Sequence, residues 1–559
     1  MKCRWSAVLL AALFCTSPAW AAAPAGTPAE SASVTAAAAP LAASQTAAQN
    51  TVQAAAENTA QTAAEKDQNT YSLALDTSDY TVDTMQYRGQ KVVFRSYENR
   101  VYVAHPVDAA YESMNIYVPE DYFDGKTIHG YTAATAPIFL PNSVGGYMPG
   151  KAGTPLEEDR MSGGPNAILT ALAYGYVVAA PGARGRTNEA ADGTYTGKAP
   201  ALLVDMKAAV RYLRYNKGRI PGNTDKIISN GTSAGGALSA LLGATGNSPD
   251  YEPYLKALGA ADERDDIFAS SDYCPITDLD HADMPYEWVF GDVHTYYQQA
   301  MPAGLMKMLA GEGAAAAPDG TVQNRPANAP AESAKAQELT KKQIKVSAVL
   351  KKKFPAYLNS LHLRAADGTK LTLDKKGNGP FKEYIKQLYM DSAQHAIDGG
   401  KDLSHVGWLT IENGKVTDMD LAQYAVQITR LKAAPAFDAL DLSTGENSEF
   451  GSASINARHF TAVGKKYNTV KKAKLADKKV IGLLNPLNYI GREDVTVAPH
   501  WRIRHGSADR DTSLAVPAIL ALRLQNEGYD VNFAVPWGQG HGGDYDLDEL
   551  FAWADSVCR

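Results

Sequence analysis

The stretch that most constrains this chain is residues 226–247, KIISNGTSAGGALSALLGATGN. A β-prone run, residues 226–230, ends in Gly231-Thr232-Ser233-Ala234-Gly235-Gly236, and a helix-prone run, residues 237–242, follows. A buried strand that turns within a few residues into a helix is a unit of a parallel sheet, and it excludes all-helical and all-β folds. The glycines tolerate the strained backbone that such a turn needs and let strand and helix pack closely. A turn of this kind lifts the side chain at its apex, Ser233, clear of the sheet. Gly-x-Ser-x-Gly alone is a weak signal in a chain with 46 glycines. Its place between a strand and a helix gives it weight. Asn230-Gly231-Thr232 also spells a glycosylation sequon, and the tightness of the turn argues against that use.

Other segments fit the same frame. Residues 136–141, 176–180, 267–271, 501–505 and 531–535 read as strands, and residues 166–174, 203–215 and 514–527 have helical spacing. The alternation implies an α/β fold, a mostly parallel sheet with helices on both faces. Residues 281–480 interrupt it between the strands at 267–271 and 501–505, the sixth and seventh of such a fold, where an inserted lid domain commonly covers the ligand crevice of an open sheet. The core is then residues 71–280 and 481–559. Within the insertion, a Lys-rich run at 339–354 reads as a solvated helix face, and an Ala-rich patch at 311–336 reads as a loop.

The N-terminus reads as a targeting signal. Lys2 and Arg4 precede a short apolar core, residues 7–15, and Ala19-Trp20-Ala21 is a small-x-small cleavage site. Cleavage after Ala21 would export the remainder, and the apolar core is too short to be a permanent membrane span. Residues 22–70 have almost no large apolar side chains and read as a disordered spacer. A net charge of −7 argues against nucleic acid or an anionic membrane as partner. After cleavage two cysteines remain, Cys274 and Cys558, expected as buried thiols rather than a bridge. No His-Glu-x-x-His and no cysteine pair at zinc spacing is present, so neither a metal nor a cofactor is expected.

A serine nucleophile needs a base and an orienting acid, which follow it in the order acid, then histidine, in an α/β-hydrolase. His541 is the one histidine after Asp509, in the Gly-rich loop after the last strand. Asp509 and Asp511, in Gly-Ser-Ala-Asp-Arg-Asp, compete for the acid role. An oxyanion hole would take the N–H of Ala234 and a second N–H, of Gly146 or Gly145, from the loop after the third strand of such a fold, residues 142–150.

The segments GTSAGGALSALLGATGNSPDYEPYL, YCPITDLDHADMPYEW, APAFDALDLSTGENSEFG, RHGSADRDTS and WGQGHGGDYDLDELFAW together resemble the bacterial tannases with a large lid, over roughly residues 75–559. The resemblance implies a nucleophile at Ser233, an acid at Asp509 and a base at His541. It also implies that Asp511, Lys432 and Glu446 contact the hydroxyls of a galloyl ring; on sequence alone Lys432 and Glu446 read as surface charges. The implied partner is a small-molecule galloyl ester. Carboxylates accept from phenolic O–H and an ammonium donates to phenolic oxygen, so the residue types suit that ligand. The rival readings are a hydroxycinnamoyl or general carboxylesterase, and a non-catalytic binding protein on a hydrolase scaffold.

Overall fold

The computed structural model describes residues 70–159, 164–297 and 336–559. The expected signal peptide, the spacer up to residue 69 and the Ala-rich patch up to residue 335 lie outside the described residues. The strands, in chain order, are β1 Thr81–Tyr87, β2 Gln90–Val101, β3 Ser113–Pro119, β4 Pro137–Pro141, β5 Val177–Pro181, β6 Asn223–Thr232, β7 Ala269–Tyr273, β8 Thr295–Tyr296, β9 Gln337–Glu338, β10 Leu409–Glu412, β11 Lys415–Met419, β12 His500–Arg504 and β13 Asp530–Ala534. Nine of them form one sheet in the order β1-β2-β3-β5-β4-β6-β7-β12-β13. From β5 to β13 every neighbouring pair is parallel. β1, β2 and β3 make an antiparallel margin, joined to the rest through β3 and β5. Sequence reading found no strand before residue 136. β1 is mostly exposed and polar, so it carries no apolar run to betray it. The glycine-rich loop 142–150 follows β4.

The central strands are buried along their whole length, as in β5 (VVAAP) and β7 (ASSDY), because helices cover both faces of a parallel sheet. The helix Ala515–Asn526 is apolar on all sides. Val516, Leu520, Ala521 and Leu524 join the core of the sheet, while Ala515, Ala518, Ile519 and Leu522 join a second core built with Trp288, Phe354 and Phe381. A helix apolar all round is one buried between two partners.

The second core belongs to the segment between β7 and β12. It holds the helices Leu279–Phe290, Lys341–Ser360, Pro380–Asp398, Leu421–Ile428 and Gly445–Glu449, with the antiparallel pairs β8–β9 and β10–β11. Lys341–Ser360 opens on a capping box, Thr340 with Gln343, and buries Val346, Leu350, Phe354 and Leu358 while its lysines face outward. Buried ionic contacts tie these helices to the intervening loops. Arg430 Nη2 and Nη1 donate to Glu287 Oε1 and Oε2 at 2.7 and 3.1 Å, and Ser347 Oγ donates to Glu287 Oε2 at 2.5 Å. Asp283 accepts from the N–H groups of Phe437 and Asp438 at 2.8 and 3.2 Å. Asp438 in turn bonds His459 Nδ1 and Asn447 Nδ2, each at 2.7 Å, and the Thr461 hydroxyl at 2.6 Å. Residues 431–447, which carry Lys432 and Glu446, are thereby held from several sides. Cys274 and Cys558 are both buried and unbridged. Among the described residues no helix is long and apolar enough to cross a membrane.

Candidate active site

β6 runs into Ser233, and the helix Ala234–Ala244 begins at the next residue. Ser233 has φ 62° and ψ −121°, a conformation that side-chain-bearing residues rarely adopt and that turns its hydroxyl out of the sheet. The flanking glycines are sterically required. A Cβ at Gly235 would lie 2.5 Å from Asn142 Oδ1 and 2.6 Å from the Val144 carbonyl oxygen, and one at Gly236 would lie 2.5 Å from the Tyr273 carbonyl oxygen. Asn142 Nδ2 donates to the carbonyls of Asn230 and Gly235 at 3.1 and 3.0 Å, bracing the loop after β4 against the turn. The Ser233 N–H donates to the Tyr273 carbonyl of β7 at 2.9 Å.

The loops after β12 and β13 bring the other two expected groups to the same point. His541 Nε2 lies 2.8 Å from Ser233 Oγ, and His541 Nδ1 lies 2.8 Å from Asp509 Oδ2. Of the two competing aspartates, Asp509 is the one that bonds Nδ1; Asp511 Oδ1 stands 3.7 Å from Nε2. Asp509 Oδ1 also accepts from the N–H groups of Asp511 and Thr512 at 2.8 and 3.2 Å. Burial raises the Asp509 carboxyl, but the His541 and His505 charges and the His541 hydrogen bond outweigh it and hold the group at about 2. For His541, burial disfavours the cation, yet Asp509, Cys274 and Asp511 carry its pKa well above the usual histidine value. The imidazole can therefore hold a proton between two carboxylates.

Two buried neighbours of this cluster carried no sequence signal of their place beside it. His505 Nδ1 is 3.6 Å from Asp509 Oδ2, and neither ring nitrogen has a hydrogen-bond partner among the described residues. The Cys274 thiol donates to the Gly542 carbonyl at 3.4 Å and lies within 4.8 Å of the Asp509 and His541 donor atoms.

In the loop after β4, Gly146 has φ 55° and Tyr147 has φ 58°. The N–H groups of Gly145, Gly146 and Tyr147 make no hydrogen bond among the described residues, nor does that of Ala234 across the turn. Successive free N–H groups in a left-handed turn form a concave site for negative charge. Sequence reading named Gly145 and Gly146, and the unpartnered N–H of Tyr147 was missed.

A cavity of about 710 Å³ opens beside the cluster, and Gly146, Arg186, Lys432, Glu446 and Asp511 are part of its wall. Ser233 and His541 do not line it; Asp511 links it to the imidazole. Lys432 Nζ is 2.8 Å from Asp511 Oδ1 and 4.2 Å from the centre of the Phe437 ring. Burial opposes the Lys432 cation, but Asp511 and Glu446 raise its pKa above the ordinary lysine value. Asp511 is held below the usual carboxylate value: burial raises it, and Lys432 and His541 more than offset that. Burial pushes Glu446 up, with Lys432 opposing. Both signs of charge thus face the same space. Gly145 is not part of the cavity wall.

An elbow serine bonded to an imidazole that is bonded to a buried carboxylate, on a mostly parallel sheet, puts the chain in the α/β-hydrolase class, and its relatives make it a carboxylic ester hydrolase. Comparison with known proteins agrees. The BD-FAE family model matches residues 156–301. Esterases LipC and LipQ of Mycobacterium tuberculosis are 41% and 32% identical over 56 and 88 residues, 10% and 16% of this chain. The chain spans 14% and 20% of the length of these curated relatives. Solved structures match over far more. The tannase of Fusobacterium nucleatum is 48% identical, with a TM-score of 0.80 over 88% of this chain and 100% of its own. The tannin acyl hydrolase of Lactobacillus plantarum is 45% identical, with a TM-score of 0.78 over 87% and 99%. The chain belongs to the bacterial tannase family.

Proposed function

We infer that this chain is an exported serine esterase that hydrolyses galloyl esters, with Ser233 as nucleophile, His541 as base and Asp509 as orienting acid. The observation that carries the reading is the Ser233–His541–Asp509 relay, with both links at 2.8 Å, beside a cavity walled by Asp511, Lys432 and Glu446. His541 takes the Ser233 proton as Oγ attacks the ester carbonyl. The oxygen that becomes charged sits against the Ala234 N–H and the free N–H groups of the loop after β4; one such donor is worth about 3 kcal/mol, on the order of 100-fold in rate. Protonated His541 then gives its proton to the leaving alcohol. A galloyl-enzyme remains, and water, deprotonated by the same imidazole, releases gallic acid. Asp511 and Glu446 accept from the ring hydroxyls while Lys432 donates to one of them. The segment 281–480 acts as the lid that carries Lys432 and Glu446 to the core. The mature chain begins at Ala22 after export, with residues 22–70 as a spacer. Support for the acyl group comes from the relatives: one solved tannin acyl hydrolase, 44% identical, is described in complex with ethyl gallate.

The test is turnover of methyl gallate, methyl ferulate and p-nitrophenyl acetate, with and without a serine-directed organophosphate. Methyl gallate should be turned over far faster than methyl ferulate, and the organophosphate should abolish all activity. A pocket built to bond hydroxyls rejects analogues lacking them by as much as about 10,000-fold. Equal or faster turnover of the ferulate would overturn the galloyl assignment, and activity that survives the organophosphate would overturn the nucleophile.

A further inference from the structure

We propose that Arg186 is a positioning residue for the oxyanion loop, and that it couples this loop to the segment bearing Glu446. The proposal rests on the reading of Ser233 and its loop given above.

Arg186 lies beyond β5 and lines the cavity. Its Nε donates to the Gly146 carbonyl at 2.8 Å, and this is the one hydrogen bond its side chain makes among the described residues. A second bond runs from the Arg186 N–H to the Tyr147 carbonyl at 2.9 Å, so this residue grips two successive carbonyls of the loop. A trans peptide carries its carbonyl and its N–H on opposite sides. Fixing the Gly146 carbonyl therefore fixes the direction of the Tyr147 N–H, and with it the pitch of the three free N–H groups. The loop needs such an anchor. Gly146 and Tyr147 are both in the left-handed region, and Gly146 has no side chain to pack, so the Arg186 bond is the contact that orients its carbonyl.

The same bond touches the other wall of the cavity. A Cβ at Gly445 would lie 3.3 Å from both Arg186 Nε and the Gly146 carbonyl oxygen. The short helix Gly445–Glu449 is thus seated directly on the Arg186–Gly146 contact, one residue from Glu446. Arg186 forms no ion pair with a carboxylate among the described residues, although Glu446 lines the same cavity. A guanidinium used in this way holds geometry through one directed N–H, a task that a lysine ammonium performs poorly.

The experiment compares the full protein with Arg186→Met and Arg186→Lys on methyl gallate and on p-nitrophenyl acetate, with melting temperatures. Both variants should melt near the wild type and lose kcat on the order of 10- to 100-fold on both esters, since the oxyanion is common to both reactions. The Michaelis constant for methyl gallate should change much less than kcat. Guanidinium ion added to Arg186→Met at non-denaturing concentration should restore part of kcat. Should Arg186→Met fail to fold, Arg186→Lys alone reads the same loss. Unchanged kcat on the acetate ester overturns the proposal, as does a loss confined to the Michaelis constant for methyl gallate. The acetate reaction reads the loop even if the galloyl assignment fails, so the two failures are distinguishable.

Discussion

Asp511 serves two neighbours. One oxygen is 2.8 Å from Lys432 Nζ and 3.7 Å from His541 Nε2, so its charge acts on both the cavity and the imidazole. Its negative charge is among the causes that raise the His541 pKa. In the proposed role of His541 as base the neutral imidazole is the working form, so removing that charge eases deprotonation. In Asp511→Asn the acid limb of the kcat/KM profile should move to lower pH on p-nitrophenyl acetate. On methyl gallate kcat/KM should also fall roughly 10- to 100-fold, the worth of one hydrogen bond to a charged group. An acid limb that stays in place would show that this carboxylate does not face the base in solution. At this scale the sequence was partly legible. Chain order pointed to His541, but Asp509 and Asp511 are two residues apart, and only the fold of their loop sets one against Nδ1. Arg186 gave no signal, because the carbonyl it bonds is 40 residues away, and Cys274 was legible as a buried thiol but not as a neighbour of Gly542, 268 residues on.

At the level of elements, the turn from β6 into Ala234–Ala244 is specified by its glycines. Gly235→Ala would push a methyl group to 2.5 Å from Asn142 Oδ1 and 2.6 Å from the Val144 carbonyl oxygen. One of these atoms is backbone, so the strain cannot be relieved by a rotamer change. The variant should lose about 1–3 kcal/mol of stability, read as a lower melting temperature, together with kcat. Wild-type behaviour in both would show that the loop after β4 is not packed on the turn. The parallel strands β4 and β5 were legible because both of their faces are covered and their runs are apolar. The margin β1–β3 was not: β1 exposes nearly every residue, β2 mixes buried Phe94 and Tyr97 with exposed charges, and β3, buried throughout, carries the polar Ser113 and Asn115 among its apolar residues. The helix Lys341–Ser360 announced itself by its lysines, while the short helix Gly445–Glu449, which bears Glu446, is too brief for any period to be read.

For the molecule as a whole, pH sensitivity of folding resides in buried carboxyls. Both Glu449 oxygens are buried without a hydrogen-bond partner among the described residues, and burial pushes its pKa to about 8 against the opposing pull of Lys198 and Arg186. A carboxyl raised on folding binds its proton more tightly in the native state. Its contribution is fully present below the unfolded value and is lost as pH rises through the folded one. Glu449→Gln should therefore melt above the wild type at pH 9, with the advantage shrinking toward pH 4. An advantage independent of pH would show that Glu449 does not titrate in the folded protein. Stability and site are also joined by the helix Ala515–Asn526, whose two faces complete two cores at once.

One feature of chain order bears on how such an enzyme is made. The elbow serine follows β6, whereas the imidazole bonded to it and the carboxylate behind that imidazole come from loops beyond β13 and β12, on the far side of the long insertion. On the proposed mechanism, a nascent polypeptide emerging from the ribosome carries the nucleophile early but has nothing to take its proton until residue 541 has appeared. That mechanism makes the hydrolase silent throughout its own synthesis, and a product that stops short of that histidine an inert one.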